Sequence, residues 1–200
     1  MGGKTINDMG CEENFNYDRV KSVILYLIYK YPHITATRLQ KFYYLAELRS
    51  IEKIGKRISD VNYCSYHYGP YSPDVAAVAD GLENKEIQIK QFESKEHHGR
   101  AYEPNMESVT VNLEKDDIQI LNEIIHDYKY KKNETILKEV YESEPYVWAK
   151  FAEDLDFEEY LRECDMLYRN PKIIEKIENN KREKGTTYNT VDDLVQEIMN

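Results

Sequence analysis

The sequence predicts an α+β fold that is mainly α-helical, with a core of about six helices and one β-hairpin. Apolar residues recur at helical spacing over most of the chain, and alternation of apolar and polar residues is confined to one segment near its middle. With 41% hydrophobic residues, the chain can bury the core of one domain and still carry an extension. We expect a flexible N-terminal tail over 1–14, a main domain over 15–150 and a C-terminal helical extension over 151–200.

The first two helices follow from apolar spacing and from residues that favour helix ends. Helix one is predicted from Asn16 or Tyr17 until just before Pro32, which disfavours a helical conformation of the residue before it. Helix two is predicted to start at Thr35 or Thr37 and to end at Gly55, which suits a C-terminal turn. Its buried stripe is predicted to contain Leu39, Phe42, Tyr43, Ala46 and Ser50.

The stretch YHYGPYSPDV at 66–75 predicts a rigid aromatic turn between helix two and helix three. Gly69 can adopt a positive φ, and Pro70 restricts the backbone next to it. Ser72 is a favourable N-cap and Pro73 suits the first helical position, so helix three should start there and reach about residue 83. The segment 58–68 before this turn is predicted to be extended.

A β-hairpin is predicted after helix three. Ile87 and Ile89 alternate with polar residues, a polar turn follows around 96–99, and Tyr102 lies in the returning strand.

The rest of the chain is predicted to be helical. Asn112 and Asn133 can cap two helices, the second of which we expect to end at Pro145. Past residue 151 the sequence becomes acidic, and further helices are predicted to start at Pro171 and Thr190. One helical face there carries Phe157, Tyr160, Leu161, Cys164 and Leu167, and the residues assigned to the core of the main domain are Leu39, Phe42, Leu121 and Trp148.

Composition argues against several functional classes. No apolar run approaches the ~20 residues of a membrane span, and the start of the chain lacks the pattern of a secretory signal, so we expect a cytoplasmic protein. Three cysteines without a C-x-x-C pair favour reduced thiols, and the five histidines are scattered. We therefore predict no catalysis, no cofactor and no metal site; a metal on the adjacent His97 and His98 is the less favoured alternative.

Two motifs resemble the Panacea (SocA-like antitoxin) domain family. The first is I-T-x-x-x-L-Q-K-x-x-Y-L-A at Ile34 to Ala46, and the second is the Y-G-P-x-x-P turn within Tyr66 to Pro73. The block from Val111 to Lys150, with ILNEII and the ending at Pro145 and Trp148, is similar to the next block of that family. The similarity covers roughly 17–150 in order. The succession of helices, turn and hairpin is more distantly similar to YwgA-like winged-helix proteins, and this resemblance implies a winged-helix-like N-terminal part.

The resemblance implies a protein that binds and neutralises a cognate toxin by direct contact; some relatives instead deliver a toxin to a protease. Tyrosines are suited to such contacts because they offer a large surface with few rotatable bonds. The residues expected to contact the partner are Lys41, Tyr44, Tyr66, Tyr68 and Tyr71. We expect that reversing the charge of Lys41 and truncating Tyr71 would abolish neutralisation with little effect on the melting temperature.

A DNA-binding transcriptional regulator of the winged-helix type is the alternative. Its basic residues would come from helix two and the hairpin, and they are Arg38, Lys41, Arg49, Lys53, Lys56, Arg57, Lys85, Lys90 and Lys95. The formal net charge of −10 and an acidic helix three argue against nucleic-acid binding. Apolar faces in the C-terminal extension leave a homodimer open.

Overall fold

The computed structural model describes residues 16–93, 98–105 and 109–168. It has seven helices and three strands within these ranges, which confirms the predicted α+β, mainly helical fold. The predicted tail at 1–14 and the helices predicted at Pro171 and Thr190 lie outside the described residues. The elements are α1 (Tyr17–Lys30), β1 (Ile34–Thr35), α2 (Ala36–Ile54), α3 (Pro73–Gly81), β2 (Ile87–Glu93), β3 (His98–Pro104), α4 (Lys115–Tyr128), α5 (Asn133–Tyr141), α6 (Glu144–Trp148) and α7 (Phe157–Tyr168).

Helix α2 is the central element of the fold. It contacts α1, α3, α4, α5 and α7, and every residue of its predicted stripe is buried. Phe42 lies within a stack of rings, with centroid distances of 5.7 Å to Tyr31 and 6.2 Å to Tyr128. Burying a side chain of this size contributes about 1.5–3 kcal/mol, so these contacts hold α1 and α4 against α2. The predicted core residues Leu39, Phe42 and Leu121 are confirmed.

Local capping sets the helix starts. Asn16 Oδ1 accepts a hydrogen bond of 3.0 Å from the Arg19 amide at the start of α1. At α2 the cap is Thr35, not Thr37, because Thr35 Oγ1 accepts from the Arg38 amide at 3.2 Å. Gly55 adopts a left-handed conformation with a φ of 70° and ends α2, as predicted.

The predicted cap of α4 at Asn112 is wrong. The helix starts at Lys115, and Asp117 Oδ2 accepts from the Glu114 amide at 2.8 Å. Asp117 is buried and forms an ion pair of 2.7 Å with Arg19, so the tertiary contact with α1 determines where α4 begins. The Asn112 amide instead donates to Ser22 Oγ at 3.1 Å.

The three strands form one antiparallel sheet in the order β1-β3-β2, which confirms the predicted hairpin. In β3, Tyr102 is opposite Ile34 of β1 and Ile89 of β2. Strand β1 has two residues, too few for a period-two pattern to be visible in the sequence. The element order of this part is α1-β1-α2-α3-β2-β3, and its winged-helix-like character stays a prediction.

Helix α7 packs on the core, whereas Trp148 only borders it, with its ring 6.3 Å from that of Tyr160. The α7 residues Phe157, Tyr160 and Cys164 are buried, and the Tyr160 hydroxyl donates to Glu52 of α2 at 2.8 Å. The prediction that Trp148 belongs to the core is wrong, since 40% of it is exposed. It ends α6, a five-residue helix that buries only Pro145, so this proline lies near a helix start and does not end α5.

The described part of the chain contains no helix that is both long enough and apolar enough to cross a membrane.

Candidate functional site

The turn at 66–73, here called the aromatic corner, is fixed to α2 by polar side chains. Gln40 makes two hydrogen bonds of 3.0 Å with Ser72, donating to its carbonyl and accepting from its amide. Lys41 Nζ donates to the Pro70 carbonyl at 2.7 Å. Backbone hydrogen bonds of 2.9 and 3.0 Å between Cys64 and Tyr71 close the turn. The corner is therefore a rigid part of the fold, which limits the entropy lost when it contacts another molecule.

Gly69 is required at the tip of this corner. Its φ of +87° lies in the left-handed region, where side chains are strained. A Cβ at this position would also lie 3.1 Å from Lys41 Nζ and 3.3 Å from the ring of Tyr141. The glycine thus allows the corner backbone to lie directly against the lysine amine.

Lys41 lies inside the fold and is only 4% exposed. Burial lowers the pKa of its amine to about 7, because the charged form loses its hydration. No carboxylate among the described residues forms an ion pair with it. The prediction that Lys41 lies on an exposed partner surface is wrong, and reversing its charge would disturb the corner itself.

Tyr44 is also placed differently from the prediction. It is fully buried, and its hydroxyl is 2.7 Å from Ser143 Oγ. Its ring makes edge contacts with Tyr63 and Phe157, at centroid distances of 5.4 and 5.9 Å. Tyr44 therefore joins α2 to α7 in the core and offers no surface to a partner.

The three tyrosines of the corner do reach the surface. Tyr68 is 73% exposed and Tyr66 is 46% exposed, while Tyr71 is partly buried. The ring of Tyr71 lies 5.7 Å from that of Tyr66. Of the five predicted contact residues, these three have side chains on the outer surface of the fold.

A residue that the sequence analysis did not select extends this exposed surface. Phe151 is 59% exposed, and its ring stacks on Tyr66 at 5.9 Å and lies 4.7 Å from His67. Tyr141 borders the corner from the other side, next to Gly69. We call Tyr66, His67, Tyr68, Tyr141 and Phe151 the aromatic face. The run VWAKF at 147–151 was the available signal, because three large apolar residues there fall in an otherwise polar segment.

A pocket lies beside the corner, between α2, the start of α3 and β3. Its volume is about 210 Å³, and Lys41 and Arg100 are the two cationic residues in its lining. Arg100 is held by an ion pair of 2.8 Å with Asp80. We call this cavity the corner pocket; its remaining lining residues are Ala36, Thr37, Leu39, Gln40, Tyr66, Tyr68, Gly69, Tyr71, Val75, Ala76 and Tyr102.

An acidic hollow of about 320 Å³ borders the exposed Trp148. It is lined by the carboxylates of Glu153, Asp154, Asp156 and Glu159 together with Ala149. Backbone hydrogen bonds between Ser65 and the segment 152–153 place this hollow on the same side of the fold as Tyr66. Glu153 and Glu159 pair with Lys150 and Arg162, so Asp154 and Asp156 leave this surface with an excess of negative charge.

The basic residues of α2 and the turn after it are engaged within the molecule. Arg38 donates to the Lys129 and Lys131 carbonyls, and Lys41 is buried. Ion pairs occupy the others: Arg49 with Glu123 and Asp127, Lys53 with Glu123, Lys56 with Glu114 and Arg57 with Glu47. This helix does not present the free cationic surface that binding to phosphates requires.

No group of three potential ligands among the described histidine, cysteine and carboxylate side chains is arranged to hold a metal ion. The side chains of His97 and His98 lie outside the described residues. Cys64 and Cys164 are free thiols.

A protein-family model matches more than half of the chain. The family model described as "Antitoxin SocA-like, Panacea domain" matches residues 39–149, which include α2, the aromatic corner, the hairpin and α4 to α6. The predicted boundaries at residues 15 and 150 stay predictions. Among curated proteins, none matches the sequence.

Proposed function

The chain belongs to the family of SocA-like antitoxins with a Panacea domain, and on this premise we propose that it binds and neutralises a cognate toxin by direct contact, without catalysis of its own. The aromatic face is the proposed contact surface. The observation that carries this assignment is the set of exposed rings on a corner fixed to the central helix, of which Tyr66, His67 and Phe151 are in mutual contact. We place the interaction in the cytoplasm.

The aromatic face has the physical properties of a binding hot spot. Its tyrosines have few rotatable bonds, and the hydrogen bonds from Gln40 and Lys41 to the corner hold the backbone beneath them. A partner can therefore bury large apolar surfaces while little side-chain freedom is lost. Exposed rings in mutual contact, such as Tyr66 and Phe151, offer a joint surface rather than isolated side chains.

The charge around this face indicates the chemistry of the partner. The acidic hollow beside Trp148 and the net charge of −10 favour a partner with lysines or arginines around an apolar centre. Opposite charges at the rim of an interface accelerate association and exclude partners of the same charge. Delivery of the toxin to a protease and formation of a homodimer stay predictions.

Co-expression tests the proposal. Each protein encoded beside this chain's gene would be expressed alone and together with it, and growth of the host would be measured. We expect one neighbour to arrest growth and the chain to restore it. Tyr68→Ala and Phe151→Ala should each weaken binding of the purified toxin at least about tenfold, because truncation of a hot-spot ring costs roughly 1–2 kcal/mol or more.

Tyr130→Ala is the matched control. Tyr130 is 89% exposed, but it lies between α4 and α5, outside the aromatic face. The control should bind toxin as the unaltered chain does, and the melting temperatures of all three variants should agree within a few degrees. Full neutralisation by the double variant Tyr68→Ala, Phe151→Ala would contradict the assignment of the aromatic face as the contact surface. If no protein encoded beside the gene arrests growth, the proposed function is contradicted.

The DNA-binding alternative gains no support from the basic residues of α2, which are paired or buried. The helix expected to read DNA, α3, carries Asp74 and Asp80 and no lysine or arginine. A gel shift on the promoter of its own gene at low and high salt should show no complex; a specific, salt-sensitive complex would restore that alternative.

A further inference from the structure

The lining of the corner pocket is largely apolar and includes a buried amine, that of Lys41, with few hydrogen-bond acceptors around it. The amine of Lys41 has three N–H donors, and the Pro70 carbonyl is its one hydrogen-bond acceptor among the described residues. The accessible apolar surface around it comes from the rings of Tyr66, Tyr68 and Tyr71, whereas Leu39 and Tyr102 lie buried behind the lining. Buried cations in proteins are normally paired with an anion, because removal of an ammonium group from water is costly.

We propose that the corner pocket binds a carboxylate attached to an apolar group, with the Lys41 ammonium as the counter-ion. The ligand is either the last residue of a polypeptide or a free organic acid, because both present a carboxylate next to an apolar group. This site shares Tyr66 and Tyr68 with the aromatic face, but its counter-ion Lys41 lies inside the corner. It would hold its ligand whether or not the protein neutralises a toxin.

The size of the pocket fits such a ligand. A cavity of about 150 Å³ in another protein accommodates benzene, so the 210 Å³ of the corner pocket can hold a phenyl-sized group together with a carboxylate. Tyr68 and Arg100 also line the pocket, and both have exposed side chains. The ligand carboxylate would lie at Lys41, and its apolar group would contact the rings of Tyr68 and Tyr71.

Binding should depend on pH in a defined direction. The charged or titratable groups that line the pocket are Lys41, Arg100 and the tyrosines 66, 68, 71 and 102; Asp80 is paired with Arg100, and Tyr141 faces Gly69. With the pKa of Lys41 at about 7, the amine is mostly protonated at pH 6 and mostly neutral at pH 8. Because the carboxylate binds the protonated amine, the affinity should fall about tenfold between these two values.

Isothermal titration of the full chain tests the proposal with three probes. N-acetyl-phenylalanine represents a chain terminus, 3-phenylpropionate represents a free acid, and N-acetyl-phenylalaninamide is the uncharged control. We expect at least one acid to bind about tenfold or more tightly than the amide at pH 6. At pH 8, titration in HEPES and in Tris should show uptake of close to one proton per acid bound. Tighter binding of N-acetyl-phenylalanine identifies a chain terminus, and tighter binding of 3-phenylpropionate identifies a free acid.

A Lys41→Met variant keeps an unbranched apolar side chain and removes the charge. It should bind the acids no better than the amide, whereas Lys53→Met, which alters an exposed lysine of the same helix, should bind as the unaltered chain does. The proton uptake is measured on the unaltered protein, so the test remains decisive if Lys41→Met does not fold. The proposal is overturned if neither acid binds, if acid and amide bind equally, or if binding takes up no proton.

Discussion

Gly69 and Lys41 are neighbours in space, and the conformation of the corner depends on the contact between them. The glycine has no Cβ, so its backbone can approach the lysine amine, and the amine in turn holds the Pro70 carbonyl. The sequence predicted the conformational role of Gly69 from the residue type alone. It could not predict that Lys41 is buried, because that depends on chain segments that are distant in sequence and meet only in the fold.

Gly69→Ala should lower the free energy of unfolding by about 1–2 kcal/mol, because alanine is strained at a φ of +87° and its methyl group would crowd Lys41 and Tyr141. Urea denaturation followed by circular dichroism measures the change. Gly81→Ala is the control: it has open space around its Cβ position and lies in α3, so it should be neutral or stabilise by up to about 1 kcal/mol. Equal effects of the two substitutions would contradict the role of Gly69.

Lys41 should make stability increase with pH. Its pKa is about 7 in the folded chain and near 10.5 in the unfolded chain, so between these values the unfolded state binds more protons and stability rises with pH. Relative to Lys41→Met, the unaltered chain should gain on the order of 2 kcal/mol between pH 7 and pH 9. Denaturation of both proteins at the two pH values measures this difference, and parallel pH profiles would rule out a lowered pKa.

At the scale of elements, α2 organises the molecule because other elements surround it. Its apolar spacing predicted one buried stripe, and that stripe is correct. The burial of Gln40, Tyr44 and Glu47 on its other sides was not predictable, since their hydrogen-bond partners are Ser72, Ser143 and the loop at 58–59. A polar residue on a helix normally predicts a solvent-exposed position. Its burial becomes evident only when the fold shows the distant residue with which it forms a hydrogen bond.

Arg38 illustrates this element-level role and supports a further prediction. Its guanidinium donates to Asn133 Oδ1 at 2.8 Å, to the Tyr31 hydroxyl at 2.6 Å and to carbonyls of the α4–α5 connection. Arg38→Lys should cost about 1–3 kcal/mol of stability, because an ammonium cannot reproduce this fork and leaves carbonyls unpaired. Hydrogen exchange at residues 129–136 should accelerate.

Arg162→Lys makes the same chemical change on α7, where the arginine is exposed and pairs with Glu159. This control should alter stability by less than about 0.5 kcal/mol. If Arg38→Lys is equally mild, or if exchange near residue 130 is unchanged, Arg38 does not hold the connection between α4 and α5.

For the whole molecule, the features that could be predicted from the sequence are those determined by interactions between residues close together in the chain. Helix periodicity, the Ser72-Pro73 start of α3 and the alternation in the hairpin each act within a few residues, and each is found in the structure. The candidate site was predicted only in part, because Tyr66 and Phe151 come together across 85 residues of sequence and their contact leaves no local pattern. Tyr66 and Tyr68 were identified from residue type; Phe151 required the fold.

The strap of main chain at 152–155 has a practical consequence for shortening this protein. The amides of Ala152 and Leu155 donate to the carbonyls of Ser65 and Tyr63, and Phe157 then covers the rings of Tyr44 and Tyr63. The family match ends at residue 149. A chain that ended there would lack the segment 152–155 and Phe157, which cover part of the core. Tyr44 and Tyr63 would meet water, and the backbone leading into the corner would lose its neighbour.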